Sequence, residues 1–276
     1  MRSLNDREVG VMFWAGRDTL AEIQSLGVQC GQLGVPGDLE LTREVGATWK
    51  SALEQAQFPV VTVFAAYNGE QYADIPTVER TVGFIPKDTR KEREQRTYQV
   101  IDFAAAIGVK SFACHIGFVP EDTADRDYID VREMVRRVAD HAAKNNQSFA
   151  LETGQEPAHV LLGFLKDVGR PNVGINFDPA NMILYGTGDP IEALTVLGPQ
   201  VISVHVKDGD WPKQDQPGAL GVERPLGQGA VGIPRFVAKL KEIGFRGSLN
   251  IEREAENQQE RISDIRKAVA YLKSLA

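Results

Sequence analysis

Short runs of β-branched and aromatic residues alternate along the chain with longer stretches whose apolar positions recur every three to four residues. The first pattern predicts strands and the second amphipathic helices. Strands are predicted at 9–14, 29–35, 59–67, 109–116, 148–153, 173–178, 201–206 and 247–252. Helices are predicted at 18–26, 41–56, 88–107, 131–145, 157–168, 190–197, 233–243 and 258–275. Asp18 reads as an N-cap, and Gly27 and Gly108 read as helix stops. Eight strand–helix units in about 250 residues is the count of a (β/α)8 TIM barrel. The whole chain, 1–276, is therefore read as one α/β domain.

The later strands are two-faced. Phe112, Cys114 and Ile116 alternate with Ser111, Ala113 and His115, and Phe149 and Leu151 alternate with Ser148, Ala150 and Glu152. Ile175 and Phe177 alternate with Gly174, Asn176 and Asp178, while Ile202, Val204 and Val206 alternate with Ser203, His205 and Lys207. Leu249 and Ile251 alternate with Ser248, Asn250 and Glu252. Strands of an open parallel sheet, covered on both sides, would be apolar throughout. A barrel instead gives each strand an apolar face toward the helices and a small or polar face toward the interior. No Gly-x-Gly-x-x-Gly follows the first strand, which removes the dinucleotide-binding fingerprint of the rival doubly wound sheet.

On the interior face Glu152, Asp178, His205 and Glu252 all fall at strand C-termini, where barrel enzymes place their sites. Three carboxylates converging without a cation would repel one another, and one would be driven to take a proton. A divalent metal removes that conflict. Three oxygen donors and one imidazole suit one Mn²⁺, Mg²⁺ or Co²⁺ ion, with Zn²⁺ also compatible. A carboxylate that merely caps the next helix is the plainer reading of any single member, above all Asp178 before Pro179. Glu254 shares the phase of Glu252 and is the alternative fourth ligand. His115 reads as a pocket residue that hydrogen-bonds rather than ligates. Lys207, on the face of His205, reads as a partner for a substrate oxygen or a carboxylate.

Composition narrows the class further. The net charge of −7 argues against a nucleic-acid surface, and 42% hydrophobic residues are enough for a substantial core. Two distant cysteines, Cys30 and Cys114, fit a reducing compartment rather than a disulfide framework. Met1–Glu8 shows no apolar leader, and no run reaches the length of a membrane span, so a cytoplasmic protein without membrane partner is expected.

The segments Leu151-Glu152-Thr153, Phe177-Asp178-Pro179-Ala180-Asn181, Val204-His205-Val206-Lys207-Asp208, Leu226-Gly227-Gln228-Gly229 and Ile251-Glu252-Arg253-Glu254 carry a family likeness. The chain resembles the xylose isomerase-like TIM-barrel superfamily, specifically its sugar phosphate isomerase/epimerase group. The resemblance implies one divalent metal held by Glu152, Asp178, His205 and Glu252. It also implies that Glu152 and Glu252 serve as catalytic acid and base, moving a proton beside a carbonyl through a metal-stabilised enediolate.

Departures are visible. Ketose 3-epimerases carry a histidine where this chain has Asn181, and a second glutamate where it has Ala158. Endonuclease IV needs more histidines than the four present, and the lysine motif of xylose isomerase proper is missing.

The expected function is a sugar isomerase or epimerase acting on a small carbohydrate. An inosose-type dehydratase on the same metal site, and a non-catalytic sugar-binding protein on the same scaffold, are the alternatives. Asn181, Trp14 and Trp211 join His115 and Lys207 as candidate substrate contacts. Trp14 reads either as a pocket wall or as core. Trp211 lies in the long segment 209–232, which reads either as a lid or as a disordered loop or a contact in a homo-oligomer.

Overall fold

Residues 8–275 are described by a computed structural model; the reading of Met1–Arg7 as lacking an apolar leader lies outside them. The strands are β1 (Val9–Trp14), β2 (Cys30–Val35), β3 (Val60–Ala65), β4 (Ser111–Cys114), β5 (Ser148–Glu152), β6 (Val173–Phe177), β7 (Val201–Val206), β8 (Asp208–Asp210), β9 (Val222–Arg224) and β10 (Leu249–Ile251). Eight of them close into a barrel in the order β1-β10-β7-β6-β5-β4-β3-β2, and β8 pairs with β9 in a separate antiparallel hairpin. Helices α1 (Leu20–Ser25), α2 (Arg43–Ala56), α3 (Ile75–Thr81), α4 (Lys87–Ala106), α5 (Arg126–Ala143), α6 (Ala158–Val168), α7 (Pro179–Tyr185), α8 (Pro190–Leu197), α9 (Ile233–Glu242) and α10 (Gln258–Ser274) fill the connections. The architecture is the TIM barrel that the strand pattern predicts.

The two-faced strands sort as barrel closure requires. Phe112, Phe149, Ile175, Phe177 and Val204 are fully buried in the main apolar core. Phe112 stacks on Phe149 at 4.5 Å, and Phe177 stacks on Phe236 of α9 at 6.0 Å. Each such ring contributes roughly 1.5–3 kcal/mol by leaving water. Inside the barrel Met12, Phe64, Ala113 and Ala150 form a separate small cluster. The rest of the interior includes polar side chains, with Gln32, Asn176, His205 and Asn250 all almost completely buried.

The local rules fail in four places. In β7 the strict alternation is broken by a register shift: Val201 pairs with Ile175 but Ser203 with Asn176, so Ile202 is an extra residue. Ile202 thus packs on the interior cluster, not with Val204 and Val206. Beyond the bulge the parity resumes, and His205 keeps its inward direction. Asp18 is not the N-cap of α1. Thr19 caps it through Glu22 N, while Asp18 is buried, accepts from Trp14 N at 2.8 Å and pairs with Arg261 of α10 at 2.7 Å. Helices α3 and α7 were not predicted, because seven residues are too few to display a helical period. Helix α5 also starts a turn earlier than its apolar stripe, at Arg126, where Asp125 caps it.

Candidate metal centre

Glu152 ends β5, Asp178 follows β6, His205 lies one residue from the end of β7, and Glu252 follows β10. These strands are consecutive in the barrel, so residues a hundred positions apart in sequence become neighbours. One ligand atom from each of the four lies within 4.8 Å of the others. Glu152, Asp178 and His205 are at most 1% exposed.

His205 Nδ1 is 2.9 Å from Glu152 Oε1, 3.0 Å from Glu252 Oε2 and 3.9 Å from Asp178 Oδ2. A single ring N–H cannot serve all of these. Glu252 Oε2 lies off its direction, and neither it nor Asp178 Oδ2 makes a hydrogen bond although both are buried. Buried carboxylate oxygens without a donor carry a desolvation cost that a cation would remove. Three carboxylates and one imidazole converging on one point can hold a divalent metal.

Asp178 combines both roles that its sequence position allows. Its Oδ1 accepts from Ala180 N at 2.8 Å and Asn181 N at 3.0 Å and so caps α7. Its Oδ2 is left to face the cluster. The cap fixes the carboxylate, and the fixed carboxylate presents its second oxygen.

Beneath the four residues lies a buried network that sequence reasoning missed. Gln32 Oε1 sits 3.0 Å from His205 Nε2. Its own Nε2 donates to Val204 O at 3.3 Å and to Asn176 Oδ1 at 3.2 Å. Because a backbone carbonyl only accepts, these bonds settle which way the amide faces. His205 must therefore carry a proton on Nε2, leaving Nδ1 as the atom free to ligate. Asn176 in turn donates to Glu152 Oε2 and accepts from Ser203 Oγ. The signal in the sequence was a glutamine and an asparagine in phase on the interior faces of β2 and β6.

The charges respond to this crowding. Burial pushes the Asp178 carboxyl well up, with Glu252 and Glu152 adding to the effect against the pull of Lys207. Burial alone would push the His205 imidazole down, but Glu152 and Glu252 hold it well above the usual histidine value. Burial would raise Glu252, yet His205 and Lys207 hold it well below the usual carboxylate range. Without a cation, the cluster is thus balanced by a protonated imidazole and an ammonium.

A cavity of about 380 Å³ opens above the cluster. Trp14, His115, Asn181 and Lys207 line it, as do Glu70, Tyr72, Glu223 and Glu254, most of which carried no readable signal. His115 Nδ1 faces the Gln155 amide nitrogen at 3.2 Å, and Asn181 Nδ2 reaches Glu152 Oε1 at 3.4 Å. Lys207 is buried, with Nζ 3.3 Å from Glu252 and 3.4 Å from Glu254. Glu254 stands outside the four-residue cluster and is half exposed. Trp211 is 45% exposed and is not among the residues that line the cavity. Trp211 lies in the connection between the two strands of the β8–β9 hairpin.

Among known proteins, a xylose isomerase domain protein from Planctomyces limnophilus is 40% identical in its crystal structure, covering 98% of this chain and 97% of that one with a TM-score of 0.94. A xylose isomerase-like TIM barrel protein from Mycobacterium smegmatis, solved in complex with magnesium, is 16% identical over 100% of this chain and 98% of that one, with a TM-score of 0.73. A D-psicose 3-epimerase solved in the presence of D-fructose is 14% identical over 97% and 99%, with a TM-score of 0.70. The last two likenesses are of fold.

The chain spans about half the length of the curated relatives it matches. One of these, the uncharacterized protein YihM of Escherichia coli, is 30% identical over 148 residues, 52% of this chain and 44% of that protein. The family model for the xylose isomerase-like TIM barrel matches residues 20–275. Together with the closed barrel and the strand-end cluster, that match places the chain in the xylose isomerase-like TIM barrel family.

Proposed function

We propose that this chain is a divalent-metal-dependent isomerase or epimerase of a sugar or a related polyhydroxy carbonyl compound. The observation that carries the reading is the placement of Glu152 and Glu252. They stand on the outer two of four consecutive strands, with His205 Nδ1 between them at 2.9 and 3.0 Å. Two carboxylates flanking one position can remove a proton beside a carbonyl and return one, which is what isomerisation and epimerisation require. Glu152, Asp178, His205 and Glu252 would hold the metal, which supplies Lewis-acid polarisation of substrate oxygens when bound.

The remaining groups act on orientation, charge and contact. Asn181 Nδ2 and Asn176 Nδ2 hold the two oxygens of Glu152, which aims the carboxylate. His205 and Lys207 lie against Glu252 and hold its carboxyl well below the usual range, so that it is ionised and ready to accept a proton. His115 and Trp14 supply a polar and an apolar contact on the cavity wall. Phe64, which packs with Met12, Ala113 and Ala150 inside the barrel, lies 5.6 Å from the His205 ring and adds an apolar contact to the cavity wall.

The test is incubation with ketoses, aldoses and inososes in D₂O with Mn²⁺, Mg²⁺ or Co²⁺. Deuterium beside the carbonyl is the expected result. Growth of an enone absorbance would reassign the chain to dehydration, and binding without exchange across the panel would reassign it to sugar binding.

A further inference from the structure

The cavity sorts ligands by charge. Glu70, Glu223, Glu252 and Glu254 line it against one ammonium, Lys207, and no arginine is among the described residues that line it. Lys207 is already engaged by Glu252 at 3.3 Å, Glu254 at 3.4 Å and Asp178 at 3.9 Å. Arg253 pairs with Glu223 at 3.0 Å and with Asp264 at 3.1 Å. Glu70 is held by Tyr67 N and Gly83 N, which are dipoles and add no positive charge. Glu152 and Asp178 at the floor bring the carboxylates to six, so a divalent cation with Lys207 and Arg253 leaves the site negative. A phosphate or carboxylate entering here meets like charge with no free guanidinium to receive it.

A second observation points the same way. TIM barrels frequently bind phosphate on the loops after strands seven and eight. In this chain the glycine-rich segment after β7 does form a nest of inward N–H groups, but Asp208 fills it. Asp208 Oδ2 accepts from Gly227 N at 2.9 Å and Gly229 N at 3.0 Å, while Oδ1 accepts from Gly209 N at 3.0 Å and Val231 N at 3.1 Å. The carboxylate is 1% exposed, and a Cβ on Gly229 would come within 2.4 Å of its Oδ1. The backbone cradle that would suit a phosphate is spent on the protein's own anion.

We infer that the substrate is uncharged: a free polyhydroxy carbonyl compound carrying neither phosphate nor carboxylate. The inference rests on the proposed function and specifies its substrate class. The rings of Trp14 and Tyr72 give the cavity wall apolar surface suited to sugar C–H groups, and His115 and Asn181 offer polar contacts to hydroxyls.

The experiment compares matched pairs on the metal-loaded protein: D-fructose with D-fructose 6-phosphate, and D-ribulose with D-ribulose 5-phosphate, extended to other ketoses and inososes. Binding is read by calorimetry and proton exchange by deuterium uptake. The free compounds should bind at least about tenfold more tightly than their phosphates, and inorganic phosphate should not compete. Glu254→Lys, at a half-exposed position, should narrow the gap by adding positive charge at the cavity wall.

Phosphates that bind as well as or better than the free compounds, with exchange still occurring, would overturn the uncharged substrate and leave the isomerase or epimerase reading standing. Free compounds that bind without any exchange would sink that reading and leave the charge selection standing. Binding of neither class would overturn both.

Discussion

Replacing Gln32 tests whether the buried network tunes the metal centre or merely fills the barrel. Gln32→Leu keeps the size of the side chain and removes the acceptor 3.0 Å from His205 Nε2, together with donors to Val204 O and Asn176 Oδ1. A buried N–H left without an acceptor costs about 1–3 kcal/mol. The ring escapes that cost by giving up its Nε2 proton and keeping the one on Nδ1, where Glu152 Oε1 lies at 2.9 Å. That is the nitrogen a cation needs, so part of the cost reappears as lost metal affinity, about 10–100-fold.

Titration calorimetry with Mn²⁺, alongside thermal melting of the metal-free protein, separates the two effects. Gln32→Glu supplies the discriminating control. It still offers an oxygen to Nε2–H but places a second oxygen against Val204 O and Asn176 Oδ1, so it should melt lower while binding Mn²⁺ nearly as well as the parent. Gln32→Leu with unchanged Mn²⁺ affinity, or Gln32→Glu with affinity lost in step with stability, would refute the positioning role.

Three further outcomes follow from other parts of the molecule. Glu252→Gln should abolish deuterium uptake, a loss of about 10²-fold or more, while calorimetry still finds metal bound by the remaining ligands and the amide oxygen. Burial holds the Glu156 carboxyl up at about 8, from 4.5, against the lowering by Val119 N. The folded state therefore keeps this proton where the unfolded chain loses it. Its stabilising contribution is full below pH 4.5 and is lost as pH rises through about 8, with a slope of up to about 1.4 kcal/mol per pH unit. Denaturant melts of Glu156→Gln should show that slope flattened, and an unchanged pH profile would count against the buried acid. Arg261→Met removes the partner of Asp18 from an ion pair whose side chains are 1% and 0% exposed. Urea unfolding should report a loss of about 3–5 kcal/mol, and a loss within error of zero would mean Asp18 is satisfied by Trp14 N and Gln258 alone.

Period-two alternation on β4, β5, β6 and β10, and helical stripes between them, were sufficient to call for a barrel, because an interior that is small and polar has no place in a sheet covered on both sides. The same phase put Glu152, Asp178, His205 and Glu252 at strand ends on one face, since parity along a strand is a local property of the backbone. Sequence could not anticipate the Ile202 bulge, which depends on how β7 registers against β6, nor Asp18 leaving its cap for Arg261 on a helix 243 residues away. It also left Gln32 and Asn176 as two unremarkable amides. What makes them matter is closure: β2 and β6 stand far apart around the barrel, and only across its interior does Gln32 reach both Asn176 and His205. The ligand types were thus written locally, while the tautomer of His205, the free oxygen of Asp178 and the filling of the glycine nest by Asp208 were decided by which strand ends and loops the closed barrel brings together.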